Sequence, residues 1–588
     1  VNDDVVNNDG GNISLTASDS GVAGDDLTVA TGVSITAAGG SGNITLNAGD
    51  DVVFNGTAAV SAAGAGIVTV AADAGSVDAS GAITMADGST VISGSGLIDL
   101  DATNDVTLGG LVTTGNVTID TTNGQVLDGG DIDVEVAADT LTVNASGGVG
   151  ASAGLGADDA LETTIATLNA TTTNGTIQLD ETDGATLASV VAGGSGDVRI
   201  VSAAGDLDVQ VVMASGDLVA LTATAGSIAD ASAGEATNIT AQDVALRALT
   251  GVGDASLDDS DLDLDVDNLA ATTATGDVSL SENAGLVVTT VDGLVGVSIT
   301  AGGAGDDILI REGAAAGADE LRVLQAISNS GTGDITIAAG GDSASDDLDI
   351  NANITSGGGD ILIVGFDDID FSATPTVSTT GTGTITVHAG RTFDFAAGAS
   401  AAGTGTTTAN ILEAAEYTIQ TNSGDITLTA NQNIELDSIS STSGTVVVTA
   451  DSDGTSTGAI IDTLAGESAN IAASAVALRA AEGIGSADDI DTNVATIATT
   501  NSTSGNIQID NGSGTDLTIG TVDGFAGVTN LGGAILVDNL IGTLTVGDSV
   551  STAAGAGGSL SLSGSLVINA TVDAGQFDVT LNGNDDGD

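Results

Sequence analysis

The sequence predicts an all-β chain: a parallel β-helix, or β-solenoid, with coils of about 20 residues. Three observations predict it. A short phrase of glycine, a small polar residue and an aliphatic–any–aliphatic triplet recurs along the chain. The phrase returns at nearly constant steps, for instance at Gly175, Gly196 and Gly216. The composition suits a narrow stacked core, with 86 glycines, one proline (Pro375), one tyrosine (Tyr417), no tryptophan and 1% aromatic residues.

The phrase reads as a corner followed by a strand. Examples are Gly11-Asn12-Ile13-Ser14-Leu15, Gly42-Asn43-Ile44-Thr45-Leu46 and Gly115-Asn116-Val117-Thr118-Ile119. It returns as Gly196-Asp197-Val198-Arg199-Ile200, Gly359-Asp360-Ile361-Leu362-Ile363 and Gly424-Asp425-Ile426-Thr427-Leu428. Glycine followed by Asn or Asp tolerates the positive φ of a tight corner. Aliphatic residues at i and i+2 share one face, and the polar residue between them takes the other. Helical periods are essentially missing; Glu320–Ile327 is the best helix candidate and reads equally well as a strand.

A larger duplication lies over the coils. Val244-Ala245-Leu246-Arg247-Ala248 precedes Gly251-Val252-Gly253, and Val476-Ala477-Leu478-Arg479-Ala480 precedes Gly483-Ile484-Gly485. Each leads to a Val-Asp-Gly corner, at Val291-Asp292-Gly293 and Val522-Asp523-Gly524. A weaker copy passes through Gly148-Val149-Gly150. The expected organisation is one continuous solenoid over 1–588, with duplicated blocks near 139–200, 242–300 and 474–530. With 588/20, or roughly 29 coils, it would form a rod on the order of 140 Å long.

Charge and composition exclude several classes. Disordered chains lack core-forming aliphatics, whereas this chain is 41% hydrophobic. Its net charge is −75, from 81 acidic and six basic residues, all six of them arginine. Such a body repels nucleic acid and anionic membranes and attracts cations. Cysteine is absent, so neither disulfides nor thiolate metal sites arise. No apolar run reaches the ~20 residues that span a bilayer, so membrane insertion is not expected. A start at Val1 rather than Met reads as a mature or excised segment.

The Gly-Asn/Asp-Ile/Val-x-Leu/Ile coils resemble the haemagglutinin-type repeats of large bacterial exoproteins, filamentous-haemagglutinin-like adhesins and autotransporter passengers. The resemblance covers nearly the whole chain and is one of architecture. It implies a right-handed β-helix, secretion to the bacterial cell surface or the extracellular space, and a role in adhesion, surface coating or biofilm matrix.

Candidate sites are few. Gly302-Gly303-Ala304-Gly305-Asp306-Asp307-Ile308-Leu309-Ile310 fits the nonapeptide of calcium-binding β-rolls, which makes Asp307, with Asp306, the candidate Ca²⁺ ligand. No second nonapeptide follows, and an ordinary acidic corner is the competing reading. Other acidic runs are Asp258-Asp259 with Asp261, Asp263, Asp265 and Asp267, then Asp346-Asp347-Asp349, then Asp367-Asp368-Asp370. The alternating Asp261–Asp267 series should face outward, because the Leu and Val between point inward. An aromatic-rich stretch gathers Phe366, Phe371, Phe393, Phe395 and Tyr417 near His388 and Arg391, and reads as stacked core rings or as a ligand patch.

An enzyme is not expected. One histidine, no lysine and few aromatics leave little for a sugar-cleaving site. The expected function is a secreted structural protein of an extracellular fibre, surface layer or biofilm-matrix filament, assembled as a homopolymer by end-to-end stacking or joined to neighbouring parts of a longer chain. It requires no cofactor, although Ca²⁺ could screen its carboxylates. The alternative is an adhesin segment that binds a glycan or surface partner near Phe366–Tyr417; a polysaccharide-active enzyme on the same scaffold ranks below it.

Overall fold

The computed structural model describes residues 1–588 except 22–23, 76–79, 131–132, 151–159, 235, 255–259, 314–319, 341–346, 395–398, 402–404, 513, 515, 554–556 and 584–588. The described residues form strands and no helix. Strands pair in parallel with their counterparts one coil further on, which makes the chain a parallel β-solenoid. It divides into two compact units, Val1–Asn268 and Leu269–Asp588.

In the first unit each early coil supplies three strands, one to each of three ladders. Ile13, Ile44, Val68, Ile98 and Val117 succeed one another in register on one ladder. Ile35, Val60, Val91, Leu111 and Val136 form the second. Leu27, Val52, Ile83, Val106 and Val126 form the third. All of these side chains are buried, so each ladder contributes a column of aliphatics to the core. The step between paired residues varies: it is long from Ile13 to Ile44, shorter from Ile44 to Val68 and shorter again from Ile98 to Val117. Only the strands must keep register; corners can absorb extra chain at small entropic cost.

The second unit follows the same plan. Ile308, Ile335, Ile361, Ile385, Ile426 and Val446 form one buried column. Leu321, Leu348, Ile369, Ile411, Ile434 and Ile460 form another. The single proline, Pro375, lies just before the strand Thr376–Thr379 and accepts from the Thr418 amide at 3.0 Å, so no ladder donor is lost.

Hydrogen bonds explain the recurring phrase. The Asn or Asp after glycine sits at a corner, where its Oδ1 accepts the backbone N–H of the equivalent residue on the next coil. Asn12 takes Asn43 (2.9 Å) and Asn43 takes Ile67 (3.0 Å). Asp277 takes Asp307 (2.8 Å), Asp307 takes Asp334 (2.7 Å), Asp334 takes Asp360 (2.8 Å) and Asp360 takes Thr384 (2.7 Å). An inward hydroxyl closes the same corner. Ser356, Thr379, Thr421 and Ser441 stack in register and donate to the carbonyls of Gly333, Gly359, Gly383 and Gly424 on the preceding coils. Buried backbone carbonyls at the bends are thereby satisfied. Late in the chain asparagine takes this inward place: Asn501 donates to Asn530 (3.0 Å) and Asn511 to Asn539 (2.9 Å), all four fully buried.

The duplicated blocks carry matching departures from the coil. The Gly-aliphatic-Gly phrases each place one residue, Val149, Val252 or Ile484, in isolated parallel bridges. Thr290–Val291 pairs antiparallel with Leu294–Val295, and Thr521–Val522 with Phe525–Ala526. Both hairpins turn on Asp-Gly with positive φ, 48° and 72° at Asp292-Gly293 and 48° and 78° at Asp523-Gly524, the turn that matches strand twist. The second hairpin folds back on the outer sheet face. Val522 packs on Ala477 and Ala498, with Phe525 beside them, so those outward alanines are fully buried.

Candidate functional site

In the first unit, corner and strand-start residues bring Asp128, Glu135 and Glu162 together. Asp128 follows the strand Val126–Leu127, Glu135 precedes Val136–Ala145, and Glu162 lies in Leu161–Thr172. Because Val136 pairs with Thr163, Glu135 and Glu162 occupy equivalent places on adjacent coils. The Glu162 amide donates to Glu135 Oε2 at 3.0 Å, and the Glu135 amide donates to the Glu162 carbonyl at 3.0 Å. One carboxylate oxygen from each of the three lies within 4.8 Å of the others. Glu135 is 4% exposed, and the other two are half-buried.

Crowded carboxylates out of water hold protons. Burial, then the neighbouring Glu162 and Asp128, pushes Glu135 up to about 9. Burial and the Asp128 charge push Glu162 up to about 7. At neutral pH Glu135 keeps its proton. A divalent cation with oxygen preference could replace that proton, since three carboxylates from two coils and a corner supply hard ligands. Sequence reading missed this cluster. Its signal is faint but present: glutamate is the minority acid of this Asp-rich chain, and Glu135 and Glu162 stand one coil step apart.

The expected ligands Asp306 and Asp307 lie on the second unit. Asp307 is a rung of the corner ladder: its amide donates to Asp277 and its Oδ1 accepts from Asp334. Burial first, then the charges of Asp334, Asp277 and Asp306, raises its carboxyl above the usual range. Asp306 is spent locally, accepting the Gly303 amide at 2.7 Å. A column of acids therefore runs through Asp277, Asp307, Asp334 and Asp360.

Two of the acidic runs also stack. Asp349 pairs in register with Asp370, and Arg322 with Asp349 at 3.3 Å. Burial together with Asp368, Asp367 and Asp370 pushes Asp347 up to about 7, and burial together with Asp349 and Asp368 pushes Asp370 up to about 6. Asp346 lies outside the described residues, as do Asp258 and Asp259. The Asp261–Asp267 series departs from the outward expectation in its first half. Asp265 and Asp267 are exposed, but Asp261 and Asp263 are buried, and Asp263 exchanges hydrogen bonds with buried Asn238.

Two members of the aromatic stretch form a core pair. Phe371 and Tyr417 stack at 4.4 Å between centroids and 17° between planes, both buried, and the Tyr417 hydroxyl donates to the Glu435 carbonyl. Phe395, another ring of the stretch, lies outside the described residues. His388 is 9% exposed, and burial, then the Arg391 charge, lowers it to about 3, so it stays neutral. A groove of about 670 Å³ on the first unit is lined by Val112, Thr113, Ala137, Thr164 and Ile165, with Asp139 and Asp183 in its wall.

No family model, no curated protein and no solved structure matches the chain.

Proposed function

We propose that the chain is a secreted structural protein whose coils build a stiff, anionic fibre, surface layer or biofilm-matrix filament at the bacterial cell surface. The observation that carries this reading is the repeated cross-coil register. The same strand, the same corner acid and the same inward hydroxyl recur coil after coil. Such a body gains stiffness from its ladders and gains length by addition of coils. Its polar residues are mostly Asp, Ser, Thr and Asn, and it carries a net charge of −75.

Assembly of such bodies into longer fibres belongs to the same reading. Divalent cations would ease the repulsion between such acidic bodies. Electron microscopy of the purified chain with and without millimolar Ca²⁺ tests the proposal. Filaments much longer than one coil stack support it, and Ca²⁺ dependence assigns the carboxylates a bridging role. Single short rods in both conditions overturn self-assembly.

A further inference from the structure

We propose that a pocket on the Leu269–Asp588 unit binds a small sugar acid, a hydroxylated monocarboxylate held between Arg391 and Arg479. The pocket encloses about 350 Å³, and its wall includes both arginines, Thr449, Asp451, Ser452 and Thr500. It lies on an outward column of one sheet face. His388, Thr429, Thr449, Arg479 and Thr500 succeed one another in register on adjacent coils.

One of the two guanidinium groups, that of Arg391, is unusual in this chain. Six arginines face 81 carboxylates, so each should find an acid. Arg322 lies 3.3 Å from Asp349, Arg199 lies 4.0 Å from Asp197 and Arg479 lies 3.6 Å from Asp523. Arg391, half-buried, has no carboxylate partner among the described residues, and its buried Nε has no hydrogen-bond acceptor. Arg479 Nε is likewise buried without an acceptor. A desolvated cation without a counter-charge costs free energy that a bound anion recovers. Burial accordingly lowers the Arg391 pKa.

The Arg479 side chain and the Arg391 backbone are held in place before any ligand arrives. Arg479 lies 3.1 Å over the Phe525 ring, which fixes its plane. Arg391 is anchored by its amide, which donates to the Gly365 carbonyl at 3.0 Å. Buried Asn431 ties the two sides of the wall, donating to the Gly390 carbonyl at 3.0 Å and accepting from Ser452 Oγ at 2.7 Å.

The lining selects among anions. A guanidinium pair fits a carboxylate. Asp451 in the same wall would repel a dianion such as sulfate or phosphate, yet can accept from a ligand hydroxyl. Its Oδ1 already takes the Ser456 amide at 2.8 Å, which orients the carboxylate. Thr449 and Thr500 offer further hydroxyls. One negative charge with several hydroxyl groups is the chemistry of a sugar acid. This inference stands apart from the fibre reading and survives its failure.

Six arginines give six side-chain Nε–H signals in a ¹⁵N NMR spectrum of the full chain. Methyl β-glucuronide should shift the Arg391 and Arg479 signals and leave the other four (6 − 2) in place. Methyl β-glucoside should shift none. Arg391→Gln, with an unchanged far-UV circular dichroism spectrum, should weaken glucuronide binding by about tenfold or more, as loss of a charged hydrogen bond does. The proposal is overturned by a glucuronide that leaves the Arg391 signal unmoved, by undiminished binding in the variant, or by a glucoside that shifts the same signals. Sulfate binding as tightly as glucuronide would also overturn it, because Asp451 would then exert no selection.

Discussion

A methyl group added at Gly424 would overlap the Gly383 carbonyl oxygen on the preceding coil. That atom is backbone, and it also accepts from Thr421, so neither side can move cheaply. Gly424→Ala should therefore cost about 1–3 kcal/mol, as overpacking does, read as a lower urea midpoint. Phe371→Ala removes one ring of the buried stack, and a loss of about 3–5 kcal/mol is expected from the same measurement. Glu135 gives a pH-dependent test. Its folded pKa, about 9, lies above the unfolded value of about 4.3. The folded state therefore holds the extra proton between those limits, and stability falls as pH rises through them. Glu135→Gln mimics the protonated acid and should flatten this slope in thermal melts between pH 5 and pH 9.

At the scale of elements, the Thr521–Ala526 hairpin covers an outer sheet face that would otherwise expose Ala477 and Ala498. Phe525→Ala should loosen it, at a cost of about 0.5–1 kcal/mol for the cation–π contact plus lost ring burial. Proteolysis at Asp523-Gly524 should then quicken while the coil strands stay protected. Strands and corners were legible in the sequence because Ile-x-Leu alternation and Gly-Asn/Asp report local geometry. The inward Thr or Ser of the corner ladder was less so: Thr379 and Thr421 look like the many surface threonines, and their partners are glycine carbonyls a coil away. The Asp128–Glu135–Glu162 cluster was barely legible for the same reason. Its members meet only once coil length is known, and steps as unequal as Ile98 to Val117 and Ile13 to Ile44 hide the pairing. Buried Asp261 and Asp263 show the reverse error: alternation predicted an outward, solvated face, and both residues are buried.

Across the whole molecule, most displaced carboxyl groups move in one direction. Burial raises Glu181, Asp347 and Asp510 to about 7, and Asp370, Asp437 and Asp491 to about 6. Each is stabilising while protonated in the fold and loses that contribution as pH rises through its folded value. The chain should therefore melt at a higher temperature near pH 5 than near pH 8, checked by calorimetry at fixed ionic strength. His388 acts oppositely: held neutral down to about 3, it withdraws stability as pH falls below the unfolded histidine value of about 6.5. It is one group against many, so the carboxyl trend should dominate until strong acid.

The corner ladder also separates architecture from charge. Each rung uses a single side-chain oxygen to receive the amide above it, and asparagine at Asn12 and Asn43 does this as well as aspartate at Asp334 and Asp360. Surface potential is thus an adjustable dial that can be turned rung by rung, through exchange of asparagine and aspartate, while every coil keeps its place.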